Sequence, residues 1–483
     1  MRTARQLLFV ALCGLLAGCT VGPDYHPAAV PTTVPWSSPL AGGESAGPAS
    51  VAAWWKNFND RELDLLMERA VNSNLDLKIA TARVREARAQ YGLATAALKP
   101  SLEASGSYQR QLQSKHQPVL GSIPLPGNVP FENDVYQAGF DASWEIDVFG
   151  GTRRAVEAAK ADVAAAEYGR RAALVSLLGE VGRNYVEGRG FQQRLAIARR
   201  NIEAQQSIVQ LTRSLYKGGL TSELDVQQAS ALLASTEAQV PALETGFKEA
   251  AHRLGVLLGQ PPGALVEELS REAPLPGAPP VVPVGLPSDL LRRRPDIQQA
   301  ERDLAAANAR IGMAVAGLYP KFSLTGDIGL LSVSTSDWFS SGSRFWSAGP
   351  TAQWKIFDAG RIRANIKVQN AREEQALARY EETVLSSFED VENALTAYAK
   401  EQTRERSLAE AVQANQQALE IASQLYRNGL VDFLRVLESQ RALYDSQDSL
   451  VQSDRAVILD LVKLYKALGG GWESLEAQAV KRG

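Results

Sequence analysis

Residues 215–226 read LYKGGLTSELDV, and 210 residues later residues 425–436 read LYRNGLVDFLRV. Leu-Tyr, a basic residue, Gly-Leu and Leu-x-Val keep the same spacing in both. The duplication extends well beyond this turn. GLATAALKPSLEASGSY (92–108) matches GMAVAGLYPKFSLTGDI (312–328) and sets Pro100 opposite Pro320. WEIDVFGGTRR (144–154) matches WKIFDAGRIR (354–363) and sets Trp144 opposite Trp354. Units of this length exceed solenoid repeats, which run roughly 20–50 residues. The chain therefore builds one large substructure twice, over about 60–260 and 288–472. Two copies of a large unit imply pseudosymmetry, each half supplying the same wall segment of a ring.

The leader adds a membrane context. Arg2 and Arg5 precede an apolar run from Leu7 to Leu16, and Leu-Ala-Gly-Cys closes it at Cys19. The run is too short to span a bilayer and has the form of a secretory signal. Its last four residues resemble a bacterial lipobox, which implies an acylated Cys19 as the first mature residue. Thr20 follows, not an inner-membrane-retaining Asp, so outer-membrane sorting is implied. The expected organisation is a signal peptide (1–18), a lipidated Pro-rich tether (19–53), a first structural repeat (54–259), a Pro-rich connector (260–289), a second repeat (290–472) and a tail (473–483). The tether's prolines favour an extended segment.

Within each repeat, two stretches alternate. Leu102, Ala104, Gly106 and Tyr108 oppose Glu103, Ser105, Ser107 and Gln109; Tyr136, Ala138, Phe140, Ala142, Trp144 and Ile146 oppose Gln137, Asp141, Ser143, Glu145 and Asp147. In the second repeat, Phe322, Leu324, Ile328 and Leu330 share one face, as do Trp346, Ala348, Ala352, Trp354 and Ile356. That is the period of a strand with one apolar and one wet face. The expected β-hairpins cover about 101–147 and 321–357, with QSKHQPVLGSIPLPGNVP (113–130) a longer loop in the first. A half-buried soluble sheet would alternate in the same way; the lipobox turns the reading toward tilted membrane strands of roughly 9–11 residues.

Long helices follow. Residues 152–217 contain no proline, and 359–427 are similar; some 66 residues of helix make a rod of about 100 Å. At Lys217-Gly218-Gly219 and Arg427-Asn428-Gly429 the chain turns back, Gly and Asn supplying positive φ. Ser222 and Asp432 are the expected N-caps of the returning helices. The helical hairpins thus span about 152–258 and 359–468. Pro241 stands where the second returning helix has Val451, so the first should bend. The rods are Ala-rich and lack a broad Leu/Ile stripe, as suits a hollow wall. Arg292-Arg293-Arg294 is expected to be a solvated helix lead-in.

Four strands leave two open edges, and unpaired backbone in hydrocarbon is expensive. Closure needs further copies: two chains give eight strands and a filled interior, three give twelve and a wet lumen. Small polar lumen-side residues favour the larger ring.

Other chemistry is sparse. Cys13 leaves with the leader, and His26, His116 and His252 are scattered without metal-ligand spacing. Only Met67 and Met313 remain in the mature chain for a soft-metal path, and no metal site is expected. The mature chain has 49 basic against 54 acidic residues, which argues against a nucleic-acid partner. No Gly-x-Ser-x-Gly or phosphate loop is present, and Glu389-Asp390 suits solvated helix surface, so no enzyme is expected.

In this order, CTVGPDYHPAAVP, WWKNFNDRELDLLMERAVNSNLDLKIATARVREARA, SWEIDVFGG, the two turns and RRRPDIQQAERDLAAANARIGMAVAGLYPKFSLTGDIG resemble the TolC-like outer-membrane factors. The branch is that of the lipoproteins serving resistance-nodulation-division pumps, and the resemblance covers the mature chain. It implies a membrane β-barrel plus an α-helical barrel, each closed only as a homotrimer, in the outer membrane of a Gram-negative bacterium and reaching into the periplasm. It implies a passive efflux duct working with a periplasmic adaptor protein and an inner-membrane transporter, with covalent lipid on Cys19 and no other cofactor. Gly219, Leu220 and Thr221, with Gly429 and Leu430, become adaptor-facing tips. Leu434 and Glu438 become a periplasmic gate, although the family often has Asp at the second position. Leu224 and Gln228 are the uncharged first-repeat counterparts. A type I protein-secretion duct and a periplasmic coiled-coil adaptor are the alternatives; the four alternating stretches disfavour the adaptor.

Overall fold

The computed structural model describes residues 20–28, 36, 44–45, 51–112, 114, 132–279, 282–285 and 287–473. Cys19, the leader and most of the 113–130 loop lie outside them. The described residues fall into two compact units. One lies within Met1–Ala28, Arg85–Ala164 and Glu301–Ala378; the other lies within Ala29–Val84, Ala165–Ala300 and Arg379–Gly483.

The first unit carries a four-stranded antiparallel sheet: β1 (Ser101–Leu112), β2 (Glu132–Ile146), β3 (Lys321–Ser332) and β4 (Arg344–Gln353), paired in that order. Register follows the alternation. Leu102 pairs Ala142, Tyr108 pairs Tyr136, Phe140 pairs Ile328 and Ile328 pairs Trp346, so apolar residues share one continuous face. The other face carries the row Glu103, Asp141, Asp327 and Ser347. A one-residue slip would exchange the two faces, so the pattern fixes the register. The last strand is shorter than expected. It ends at Gln353, and Trp354 and Ile356 lie beyond it. Trp354 instead donates its indole N–H to the Leu318 carbonyl (3.0 Å), as Trp144 does to Leu98 (2.9 Å).

The longer helices are α1 (Arg61–Ser73), α2 (Leu75–Ala96), α3 (Gly151–Lys217), α4 (Glu223–Glu237), α5 (Val240–Leu257), α6 (Pro295–Ala316), α7 (Arg361–Arg427) and α8 (Phe433–Ala467). Asp60 caps α1 by accepting from the Glu62 and Leu63 amides. Pro241 does more than bend the returning helix: it ends α4 and opens α5, because a proline near the first turn forfeits no helical bond. The second returning helix, α8, is unbroken.

The second unit has a denser core than the Ala-rich composition suggested. Leu174, Leu178 and Val181 of α3 are buried, as are Leu461, Leu464 and Tyr465 of α8, with Tyr465 stacked on Trp54 at 5.5 Å. Truncating such a leucine to alanine costs about 2–5 kcal/mol. Arg189 is 2% exposed, pairs with Glu62 and donates to the Arg271 carbonyl (2.8 Å), tying α1 and the connector to α3. The Pro-rich stretches are held too. Glu44–Ser45 pairs in parallel with Val282–Pro283, and Trp36 donates to the Gly285 carbonyl at 3.0 Å. The arginine cluster is a solvated lead-in only at Arg292, which is exposed. Arg294 is mostly buried, pairs with Asp296 (2.7 Å) and Asp390 (3.0 Å), and donates to the Ala467 carbonyl. Arg293 pairs with Glu473 at 3.3 Å. Sequence distance hid these partners, since Asp390 lies on α7.

Candidate functional site: helical hairpin tips and an apolar sheet face

Both tips are built by one backbone device. Helix α3 ends at Lys217 and α7 at Arg427, each placing a cation in its last turn, where the helix dipole is negative. Gly219 (φ 71°) and Gly429 (φ 70°) then turn left-handed. The Leu220 amide donates to the Leu215 carbonyl and the Leu430 amide to Leu425, both at 2.9 Å, closing six-residue loops that satisfy helix-end carbonyls. Nothing lies within 4 Å of a Cβ built on either glycine, so the requirement is backbone conformation, not space. The turn leaves Leu220 77% and Leu430 69% exposed.

The restarts differ. Ser222 caps α4 in a reciprocal box with Asp225. Asp225 also accepts from Thr221 Oγ1 (2.5 Å) and Ser222 Oγ (2.9 Å). Burial alone would push Asp225 up, but the Thr221 and Ser222 donors together hold its carboxyl below the usual range. Asp432 occupies the same place before α8 and makes no side-chain cap bond; only its carbonyl accepts, from the Arg435 amide at 3.3 Å. The box needs an acid three residues on, and α8 has Arg435 there. Arg435 instead donates to Glu438 at 3.1 Å. Leu434 (43% exposed) and Glu438 are one turn apart on α8, as are Leu224 and Gln228 on α4. Arg435 beside Glu438 is a charge that the sequence reading overlooked.

Above the tips, Val209 of α3, Ala229 of α4 and Phe433, Val436 and Leu437 of α8 form one buried cluster, with Leu419 and Tyr426 of α7 against it. Farther along, polar bonds join the halves. Arg194 grips Asp448 through two nitrogens (2.7 and 3.0 Å), Arg455 pairs with Glu187 (3.2 Å), and Tyr444 donates to Gln239 (2.7 Å). Gln239, whose side-chain amide oxygen accepts from Tyr444, sits in the break before Pro241. A cavity of about 530 Å³ is bounded by Ser176, Arg294, Asp390, Lys463 and Lys466.

Among the described residues, no group of three or more His, Cys, Asp or Glu is arranged to hold a metal ion, and no helix is long and apolar enough to cross a membrane. The latter does not bear on strands. The sheet has aromatic groups near both ends of its apolar face. Tyr108 and Tyr136 lie toward the strand–strand loops, with Trp338 against Tyr136 at 5.8 Å; Trp144 lies eight residues along β2. That separation is roughly 25 Å, the height of an outer-membrane apolar band.

The sequence profile of outer membrane efflux proteins matches residues 66–260 and again 286–470. The chain belongs to the outer membrane efflux protein family. Its relatives include the pyoverdine export outer membrane protein OpmQ of Pseudomonas aeruginosa, 34% identical over 97% of this chain and 98% of that one. Nodulation protein T of Rhizobium leguminosarum bv. trifolii is 33% identical over 95% and 96%. Among solved structures, the outer-membrane channel OprN superposes with a TM-score of 0.86 at 37% identity, over 94% of this chain and all of that one. The protein is thus an outer-membrane efflux channel of the TolC-like fold, mostly helical with a small sheet. The resemblance in the turns and strands led to the same family.

Proposed function

We propose that three copies of this chain close a passive duct, twelve strands forming a membrane β-barrel and the helical hairpins an α-helical barrel in the periplasm. The twofold internal repeat then makes the wall quasi-sixfold. The observation that supports this best is the sheet itself: a continuous apolar face and two unpaired edges, β1 and β4, with antiparallel order throughout. In hydrocarbon those edges need partners, and β4 of one copy beside β1 of the next satisfies both. Cys19 carries the lipid. The protein is no enzyme; energy enters from an inner-membrane transporter, passed through a periplasmic adaptor that grips Gly219, Leu220, Thr221, Gly429 and Leu430. Leu434 and Glu438 form the periplasmic gate. The cargo is small molecules, a class that includes the pyoverdine named for one relative.

The test is the oligomer. Outer-membrane extracts run without heating should give a band of three chains that collapses to one chain on boiling. A cysteine pair placed across the edges on the polar face, one at Ser105 in β1 and one at Gln353 in β4, should form intermolecular but not intramolecular disulfides. A monodisperse single chain in membranes would sink the proposal.

A further inference from the structure

The two repeats agree in strand register as well as in sequence. In the first hairpin Ser101 pairs Ser143; their matches in the second repeat, Lys321 and Gln353, pair likewise. Trp144 donates to the Leu98 carbonyl, and its match Trp354 donates to Leu318, the match of Leu98. Gly150 and Gly360, matched again, both turn left-handed (φ 77° and 83°). One joint has no copy within the chain. β2 is joined to β3 of the other repeat, with Trp144 on Leu324, Glu145 on Ser323 and Ile146 on Phe322. Carried over by the same matches, this joint sets Trp354 on Ala104, Lys355 on Glu103 and Ile356 on Leu102, across the two open edges of the sheet. The carry-over explains why β4 is short. Past Ser143, β2 is laddered to β3 alone among the described residues, and that neighbour carries it to Ile146. Residues 354–356 have no strand beside them, and β4 ends at Gln353. Ile356 is 85% and Leu102 71% exposed. A neighbouring β1 would prolong β4 by these three residues and lay Ile356 on Leu102 in the apolar face.

The charges at this level point to a second copy of the chain as the occupant. Within the chain, Lys321 of β3 donates to Glu145 of β2 at 3.1 Å. At the open edges the signs are reversed: Lys355 matches Glu145, Ser101 matches Lys321, and Glu103 matches Ser323. Glu103 and Lys355 are exposed, and neither makes an ion pair among the described residues. Glu103 also ends a row in which it faces Asp141 and Asp141 faces Asp327. Carboxylates directly opposite one another repel, and a cation at the open end of the row offsets this. We propose that Lys355 of one copy pairs with Glu103 of the next, in the register of the β2–β3 joint, and that this pair makes β4 select β1. The inference rests on the ring of copies proposed above and assigns its seam a register and a polarity. The reversal keeps the two kinds of joint from being exchanged. Were β2 to take β1 of another copy in place of its own β3, Glu145 would face Glu103; were β4 to take a β3, Lys355 would meet Lys321. Both arrangements set like charges across the strands.

The experiment uses the full chain in outer-membrane extracts and reads the temperature at which the three-chain band gives way to the single chain. It compares the parent, Lys355→Glu, Glu103→Lys and the double variant. Lys355→Glu should dissociate a few degrees below the parent, and adding Glu103→Lys should restore most of the loss. The four-variant cycle cancels whatever Glu103→Lys changes at Asp141 within the chain. Adding Ser107→Lys, on the same face four residues along β1, should restore none of it. Should Lys355→Glu fail to assemble, Lys355→Cys is combined with Glu103→Cys or with Ser107→Cys, and the first pair should crosslink copies faster. Absence of coupling in the cycle, equal rescue by Ser107→Lys, or faster crosslinking at Ser107→Cys overturns the pairing, while a persisting three-chain band leaves the ring itself standing. A parent chain that gives no three-chain band overturns both.

Discussion

The two hairpins begin alike and then diverge. Each has a 67-residue outgoing helix and a glycine at φ near 70°. The first restarts under a hydroxyl–carboxylate network of Thr221, Ser222 and Asp225 and returns in two pieces. The second restarts at Asp432 with no side-chain cap and returns as one 35-residue helix. A locked tip on a jointed helix is a local anchor: motion above the joint need not reach the tip. An unlocked tip on a continuous rod moves as a lever. The difference favours the second hairpin as the carrier of the proposed gate, since a gate needs an element with two arrangements of similar energy. It also gives Tyr444–Gln239 and Arg194–Asp448 a role, as polar bonds by which the jointed hairpin restrains the lever.

Exchanging the joint should have the largest effect. Val451→Pro puts a proline into the interior of α8, where it removes a helical hydrogen bond and clashes with the preceding turn, at about 3 kcal/mol or more. Thermal unfolding of the purified channel should fall by many degrees, whereas Pro241→Val should cost little. Equal melting temperatures for the two variants would mean that the returning helices are interchangeable.

The next effect is electrostatic. Burial, and secondly the neighbouring Glu405, push Asp454 on α8 up to about 6. In the first hairpin the matching position, Glu244, pairs with Arg199 at 3.5 Å. A carboxyl whose folded pKa exceeds the unfolded 3.8 binds its proton more tightly in the native state, so this site adds stability as pH falls from 7 through 6 toward 4 and withdraws it above 6. Asp454→Asn should melt higher than the parent at pH 7, lose roughly half of the difference at pH 5 and most of it near pH 4. A variant that is less stable at both pH values would place a needed ionised carboxylate there.

Asp225→Asn should matter least. It weakens the first tip's capping box by about 1 kcal/mol and leaves the second tip untouched. Hydrogen exchange at the Ser222–Val226 amides should quicken, with conductance unchanged; a leak as large as that of a second-tip variant would erase the distinction between anchor and lever.

Much of this was legible in the sequence, for physical reasons that differ by element. Gly219 and Gly429 announce their turns because positive φ is a local demand. The strands announce themselves because alternation is local too, and their register follows from it. The lack of a reciprocal box at Asp432 was readable, since Arg435 stands where a box needs an acid; the loss of Asp432's own cap bond was not, since Asp432 reads as an N-cap. What stayed hidden joins distant segments. Arg294 looked solvated because Asp390 is on another helix. Arg154 looked like one more basic residue opening a long helix, and nothing nearby in sequence reveals that it grips Asp24. The break at Pro241 was visible, yet the bond from Tyr444 to the Gln239 side chain beside it was not, because that contact spans 205 residues.

The claim that the second hairpin carries the gate is tested most directly by single-channel recording in planar bilayers. Leu434 and Glu438 lie exposed on one face of α8, and in a trimer they would stack as a leucine ring and a carboxylate ring that favours cations. Arg435 tempers each carboxylate, so the expected cation selectivity is moderate. The pair Leu434→Ala with Glu438→Gln should raise conductance and weaken cation selectivity, while Leu224→Ala with Gln228→Glu on the first tip should change conductance much less. If the Leu434/Glu438 pair conducts like the parent, or the Leu224/Gln228 pair opens the channel as far, the gate does not belong to the second hairpin.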